Sequence, residues 1–196
     1  ASVMDKYIAA IGGKAALDKI TSVTTKATGT VQGMQLDLKT IEANGGKNLT
    51  EIGMGGNVMQ KIFFDGKNGG MTMQGQATPL PEEMKAEFLN STMAIPELGY
   101  AKNPNAKISG SETFNNEDCY VVKVGTTSHF YSKKTGLKLG KQMTAQGQTV
   151  NVKFADYKDF SGVKFPQSIT QAIGPMEMVF KVNSIELNKA TDADFK

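Results

Sequence analysis

From about Val23 to Leu187 the chain alternates apolar and polar side chains in short runs separated by glycine turns. A period of two sends successive side chains to opposite faces of a strand. Met34, Leu36 and Leu38 alternate with Gln35, Asp37 and Lys39, the pattern of an antiparallel sheet with one apolar and one wet face. Turn signals stand at Asn44–Lys47 (NGGK), Met54–Asn57 (MGGN), Asp65–Gly70 (DGKNGG) and Gly174–Pro175. Between and after them the pattern predicts strands over 58–64, 106–111, 119–124, 129–133, 137–145 and 163–173, with Val150, Val152 and Phe154 alternating in another. Tyr120, Val122 and Val124 share a face. In the last strand Met176, Met178, Phe180 and Val182 share one face, whereas Ile185 and Leu187 have the opposite parity. A one-residue slip flips the face, so a bulge is expected near Asn183–Ser184.

Helical spacing is confined to three places. Val3, Tyr7, Ile8 and Ile11 line one stripe, with Ser2 as N-cap, Asp5 in the first turn and Gly12–Gly13 as the stop. Lys14–Ile20 reads as a second short helix that turns Ala16, Leu17 and Ile20 inward. Pro79–Leu89 breaks the strand pattern with prolines and acids in a first turn, and Leu80, Met84 and Phe88 stack four apart. Pro96 and Gly99 forbid a long continuation to Tyr100. This stretch is expected to be an inserted helix and loop lying over the sheet.

The inventory for bond chemistry is thin. The chain has one histidine, one cysteine, no tryptophan and no arginine, and its net charge is only +3. Lysine alone does not supply the planar fork that reads base edges, so nucleic-acid binding is not expected. His129 has no histidine or cysteine at metal-ligand spacing, and no metal or cofactor is expected. Sitting on the opposite strand face from Phe130, it reads as an outward or rim side chain. The glycine-rich pieces lead into strands rather than helices, so they are hairpin turns and not phosphate cradles. Cys119 reads as a small packed thiol. No hydrophobic run is long enough to span a membrane. The 196 residues are expected to form one domain, 1–196. The opening ASVMDKYIAAIGG suits a mature N-terminus left after a signal peptide is removed.

Eleven methionines, most of them in strands, would give an adaptable apolar lining or fill an irregular core. Several segments resemble the outer-membrane lipoprotein-sorting (LolA/LolB-like) superfamily, and in particular its secreted Bacteroidetes-type members. They are YIAAIGGKAALDKI near the start, FFDGKNGG at Phe63–Gly70, FYSKKTGL at Phe130–Leu137, YKDFSGVKFP at Tyr157–Pro166 and the terminal VNSIELNKATDADF. The resemblance implies a mainly β fold with α: a curved antiparallel sheet forming a half-open barrel, with helices on the concave side. It implies a non-enzymatic periplasmic or secreted module whose concave face takes a lipid, or the acyl chain of a lipoprotein. The family's better-known carriers use a strand arginine and cavity tryptophans, residue types this chain lacks. Inward parity and the helix stripe nominate Met34, Leu36, Leu38, Ile62, Phe64, Met84, Phe88, Phe154, Met178 and Phe180 as ligand contacts. Two rivals remain open. One is an interaction or scaffold domain, associated with an insulinase-type peptidase, whose own side chains fill the barrel. The other is an enzyme.

Overall fold

The computed structural model describes residues 2–145 and 147–196. Thirteen strands, β1 (Ser22–Val31), β2 (Met34–Ala43), β3 (Lys47–Met54), β4 (Asn57–Phe64), β5 (Gly69–Met73), β6 (Gln76–Pro79), β7 (Ala106–Phe114), β8 (Glu117–Val124), β9 (Thr127–Ser132), β10 (Lys138–Ala145), β11 (Gln148–Phe160), β12 (Val163–Ile173) and β13 (Met176–Leu187), form one antiparallel sheet. The hydrogen-bonded order is β6-β5-β4-β3-β2-β1-β13-β12-β11-β10-β9-β8-β7. Its end strands β6 and β7 do not pair with each other, so the sheet is not closed. The mainly β fold class expected from the alternation is the one found. Four helices accompany it: α1 (Val3–Ile11), α2 (Lys14–Leu17), α3 (Glu82–Asn90) and α4 (Glu97–Tyr100).

The chain divides into two compact units, one of residues 1–19 and 97–179, the other of residues 20–96 and 180–196. The second contains β1–β6, α3 and most of β13. Its hairpins β1–β2, β3–β4 and β5–β6 turn on Gln32–Gly33, Gly55–Gly56 and Gln74–Gly75, each pair with positive φ at both positions. That is the type I′ pattern, whose twist matches the flanking strands. The predicted bulge is present: Lys26 pairs with Ser184 but Ala27 with Val182, which leaves Asn183 as the extra residue. Phe180 and Ile185 are both buried, as the parity change requires.

In the first unit, α1 opens on a reciprocal capping box, with Ser2 Oγ accepting from the Asp5 amide and Asp5 accepting from the Ser2 amide. Val3, Tyr7 and Ile11 are buried along its stripe. On the sheet, Phe114 stacks on Phe130 with ring centroids 4.2 Å apart. Gly140, opposite Phe130, makes room: a Cβ there would lie 2.5 Å from the Phe114 ring.

Three expectations need correction. The helix predicted over Pro79–Leu89 starts only at Glu82, because Pro79 ends β6 and Pro81 is the N-cap in extended geometry. Each proline biases the residue before it away from helix, so T-P-L-P prolongs the strand. The second helix stops at Leu17 rather than Ile20, although Leu17 and Ile20 are buried as expected. Finally, the second face is not uniformly wet. Ile41, Ala43 and Leu49 pack with Phe195 from the C-terminal 3-10 turn Asp192–Phe195, and Cys119, Val121 and Phe130 form a similar cluster in the other unit.

Candidate functional site

Register decides which of the expected ligand residues meet. In the unit built on β1–β6, Leu38 pairs with Ala27 on one side and Ile52 on the other, and Leu36 pairs with Gly29. Gly29 in turn faces Phe180, and Ile52 faces Gln60, two residues from Ile62 and four from Phe64. Directly paired residues of an antiparallel ladder share a face. Met34, Leu36, Leu38, Ile62, Phe64 and Phe180 therefore lie on one face of this unit. From α3, Phe88 stacks on Phe64 with centroids 5.7 Å apart and planes at 24°.

Burial then sorts them. Leu38, Phe64 and Phe180 are fully packed, Leu36, Ile62, Met84 and Phe88 are half-buried, and Met34 is exposed. The three packed side chains belong to the core, and the half-buried ones leave apolar surface to cover. Phe154 and Met178, also half-buried, belong to the other unit.

A groove of about 370 Å³ opens elsewhere on the β1–β6 unit, at the two bulged places in its ladders. Lys26, Asp37, Lys39, Glu51 and Asn183 line it, and of the ten nominated ligand residues only Leu38 touches it. Its walls carry charges of both signs. It is not an acyl tunnel.

The other unit holds a buried polar cluster. Glu97, the first residue of α4, accepts from Tyr131 Oη at 2.9 Å and from Lys138 Nζ at 2.8 Å. Tyr131 packs edge-on against Tyr7, with centroids 5.3 Å apart, and Lys138 Nζ lies 5.8 Å from the Tyr131 ring centre. Tyr157 donates to the Lys138 carbonyl at 2.7 Å. Burial pushes the Tyr131 and Tyr157 hydroxyls far above the ordinary phenol range, and the negative Glu97 adds to both shifts. Neither ionises in the folded protein at physiological pH. The cluster pins α4 and α1 to strands β9–β11.

His129 is buried, which corrects its reading as an outward or rim residue. It pairs with Val122 on β8 and Lys141 on β10, tilts against the Tyr100 ring at 5.7 Å, and neither ring nitrogen has a protein hydrogen-bond partner. Burial, with Lys138 and Lys141 nearby, holds its pKa well below the usual imidazole value. It is neutral at pH 7. The sequence held a signal for this burial. Phe130 and Tyr131 are adjacent large side chains on opposite faces, which marks a strand covered on both sides. Among the described residues no cluster of His, Cys, Asp and Glu is arranged to hold a metal ion. Burial raises the Cys119 thiol above its usual pKa, the state of an unreactive packed cysteine.

No family model matches the sequence, and no curated protein matches it. Solved structures do match in fold. A LolA superfamily protein from Nitrosomonas europaea superposes with a TM-score of 0.60 at 10% identity, covering 99% of this chain and 96% of that one. A DUF1329 family protein from Desulfovibrio piger gives a TM-score of 0.56 at 11% identity, covering 99% and 95%. Nearly the whole of each chain is matched, so the likeness concerns the complete fold. This chain has a LolA-like fold, as the ordered motifs implied.

Proposed function

We propose that the chain is a non-enzymatic binding module for an acyl chain, acting in the periplasm or outside the cell. The acyl chain lies on the apolar face of the β1–β6 unit. The observation that carries this reading is the register: it lines up Met34, Leu36, Ile62 and the packed Phe64 on one face, with Phe88 of α3 stacked at its margin. The half-buried members of this set hold apolar surface that a ligand would cover. Each methylene withdrawn from water contributes about 0.8 kcal/mol, so half of a long acyl chain outweighs several kcal/mol of ordering cost. The LolA-like fold supports the same reading. The lining offers flexible thioethers and no fixed donor, so selectivity for chain length is loose.

The test is a titration with a fluorescent fatty acid. Saturable binding that weakens in Leu36→Asp and Met34→Asp supports the proposal. Met34 is exposed, so its variant keeps the fold and separates lost binding from lost structure. The absence of saturable binding would favour the interaction domain, a reading that the complete packing of Leu38, Phe64 and Phe180 favours.

A further inference from the structure

The two ends of the β1–β6 ladder differ in chemistry. The loops at one end are charged, with Lys47 after Asn44–Gly46, and Asp65 and Lys67 between β4 and β5. At the other end the hairpins β1–β2, β3–β4 and β5–β6 carry no charged residue over 27–36, 52–60 and 69–81. These same hairpins expose their large apolar side chains: Met34 is 49% exposed, Val58 55%, Met59 37% and Met73 50%. Single exposed apolar side chains are common, but four on three consecutive hairpins make a patch.

The register gives the patch a shape. Leu38, Ile52, Gln60 and Met73 lie in one row across the ladder. Counting from that row, Gly33 stands five residues out, Gly55 three and Gln74 one. At about 3.3 Å per residue along a strand and 4.8 Å between strands, that step is a slope of about 35°. Strands tilted by that amount bring all three tips to a single plane, about 24 Å wide across six strands. Along β1–β4 the first charged side chain stands four or more residues behind its tip, at least about 13 Å back. Amphipathic elements that lie in a bilayer interface sink about 5–10 Å. The uncharged band is deep enough for that.

Behind the band, Lys26, Lys39, Glu51 and Lys61 form a row across β1–β4. Lys61 lies 4.0 Å from Glu51, while Lys26 and Lys39 make no ion pair among the described residues. The acids Asp37 and Glu51 stand nearer their tips than Lys26 and Lys39, but Lys26, Lys39 and Lys61 outnumber them, so the apolar rim is backed by a small net positive charge that complements a bilayer with anionic headgroups. A protein partner is a poorer fit, since the tips offer none of the Trp, Tyr or Arg anchors that dominate protein interfaces.

We propose that this charge-free rim docks on the surface of an anionic phospholipid bilayer, with Val58, Met59 and Met73 entering the headgroup–acyl boundary and Lys26 and Lys39 facing the lipid phosphates. The three side chains that enter the bilayer, Val58, Met59 and Met73, are not among the residues nominated for the acyl ligand; Met34, the fourth exposed side chain of the rim, is shared with that set.

Co-sedimentation with vesicles tests it, using phosphatidylethanolamine–phosphatidylglycerol vesicles beside pure phosphatidylcholine. The parent should bind the anionic vesicles more tightly, and salt should weaken that preference. Val58→Asp/Met59→Asp and Met73→Asp should each lower partitioning at least tenfold, whereas Lys67→Ser at the opposite end should leave it unchanged. Circular dichroism and fatty-acid binding in vesicle-free solution, run on the same variants, should match the parent. That control also separates failure here from failure of the acyl reading. No co-sedimentation with either vesicle would overturn the proposal. So would tip variants that bind like the parent, which would reduce the effect to diffuse charge. Self-association that depends on Val58 and Met59 without vesicle binding would overturn it in favour of a protein interface.

Discussion

The hydroxyl of Tyr131 donates to Glu97 Oε1 at 2.9 Å, and both side chains are buried. Lys138 Nζ shares the same oxygen from 2.8 Å, so a carboxylate and an ammonium are held together out of water. A buried pair adds little net stability, but removing one member strands the other. Glu97→Ala should therefore lower unfolding stability by about 3–5 kcal/mol. Tyr131→Phe, which removes one hydrogen bond, should lower it by about 1–3 kcal/mol. Urea denaturation of both, with Glu97→Ala/Lys138→Met as the double variant, checks this. The double variant should recover part of the Glu97→Ala loss. A Glu97→Ala effect under 1 kcal/mol would mean the cluster is solvated.

The lone histidine gives the protein a pH signature. In the fold its pKa is held well below the usual imidazole value, chiefly by burial. The unfolded chain takes up that proton near pH 6.5, so the folded state is disfavoured as pH falls below that point. His129's contribution is thus complete above about pH 6.5 and declines by up to about 1.4 kcal/mol per pH unit below it. Stability measured between pH 7.5 and 5 should show this slope. His129→Leu should flatten it while matching or exceeding the parent at pH 7.5, since it removes two unpartnered nitrogens. An unchanged slope in the variant would count against a neutral, buried imidazole.

Alkaline titration offers a second check on the polar cluster. Of the five tyrosines, Tyr131 and Tyr157 have hydroxyl pKa values raised far above the ordinary phenol value by burial. Their neutral state favours folding below about pH 10, and that contribution is lost as pH rises further, because only the unfolded chain ionises easily. Absorbance at the phenolate band should therefore show at least two tyrosines that titrate only as the protein unfolds. Phenolate forming at all five before the circular dichroism changes would contradict their burial.

Core and candidate ligand positions separate by burial. Phe64 is fully buried and stacked on Phe88, so Phe64→Ala should cost about 3–5 kcal/mol. Met34 is half exposed at a hairpin tip, and Met34→Asp should stay within about 0.5 kcal/mol of the parent. Thermal melts read both directly. Comparable losses in the two variants would show that Met34 is packed against protein.

The hairpins and strand parity were legible because neighbouring residues decide them. The Asn183 bulge followed from a parity change within one strand, and the apolar set around Leu38 and Phe64 followed from alternation. The helix start was misplaced at Pro79 because proline ends a strand as readily as it starts a helix. In T-P-L-P the extended bias before each proline won. Glu97 was not legible as a buried group, because the side chains that cover it, Tyr131 and Lys138, are distant in sequence; for His129 the adjacent Phe130 and Tyr131 signalled a strand covered on both sides, but not that Tyr100 lies against the ring.

By itself the sequence determined an antiparallel meander of period-two strands, the turns that join them and the face each side chain takes. Those properties depend on residues a few positions apart, which constrain the backbone wherever the segment ends up. Tertiary structure decided which faces are covered. Phe195 seals Ile41 and Leu49 on a face that alternation alone marks as wet, and α4 brings Glu97 onto Tyr131 and Lys138. A strand's period states which side chains share a side. It carries no information about what arrives from 30 or 150 residues away to bury them, and that arrival sets every perturbed pKa in the buried cluster.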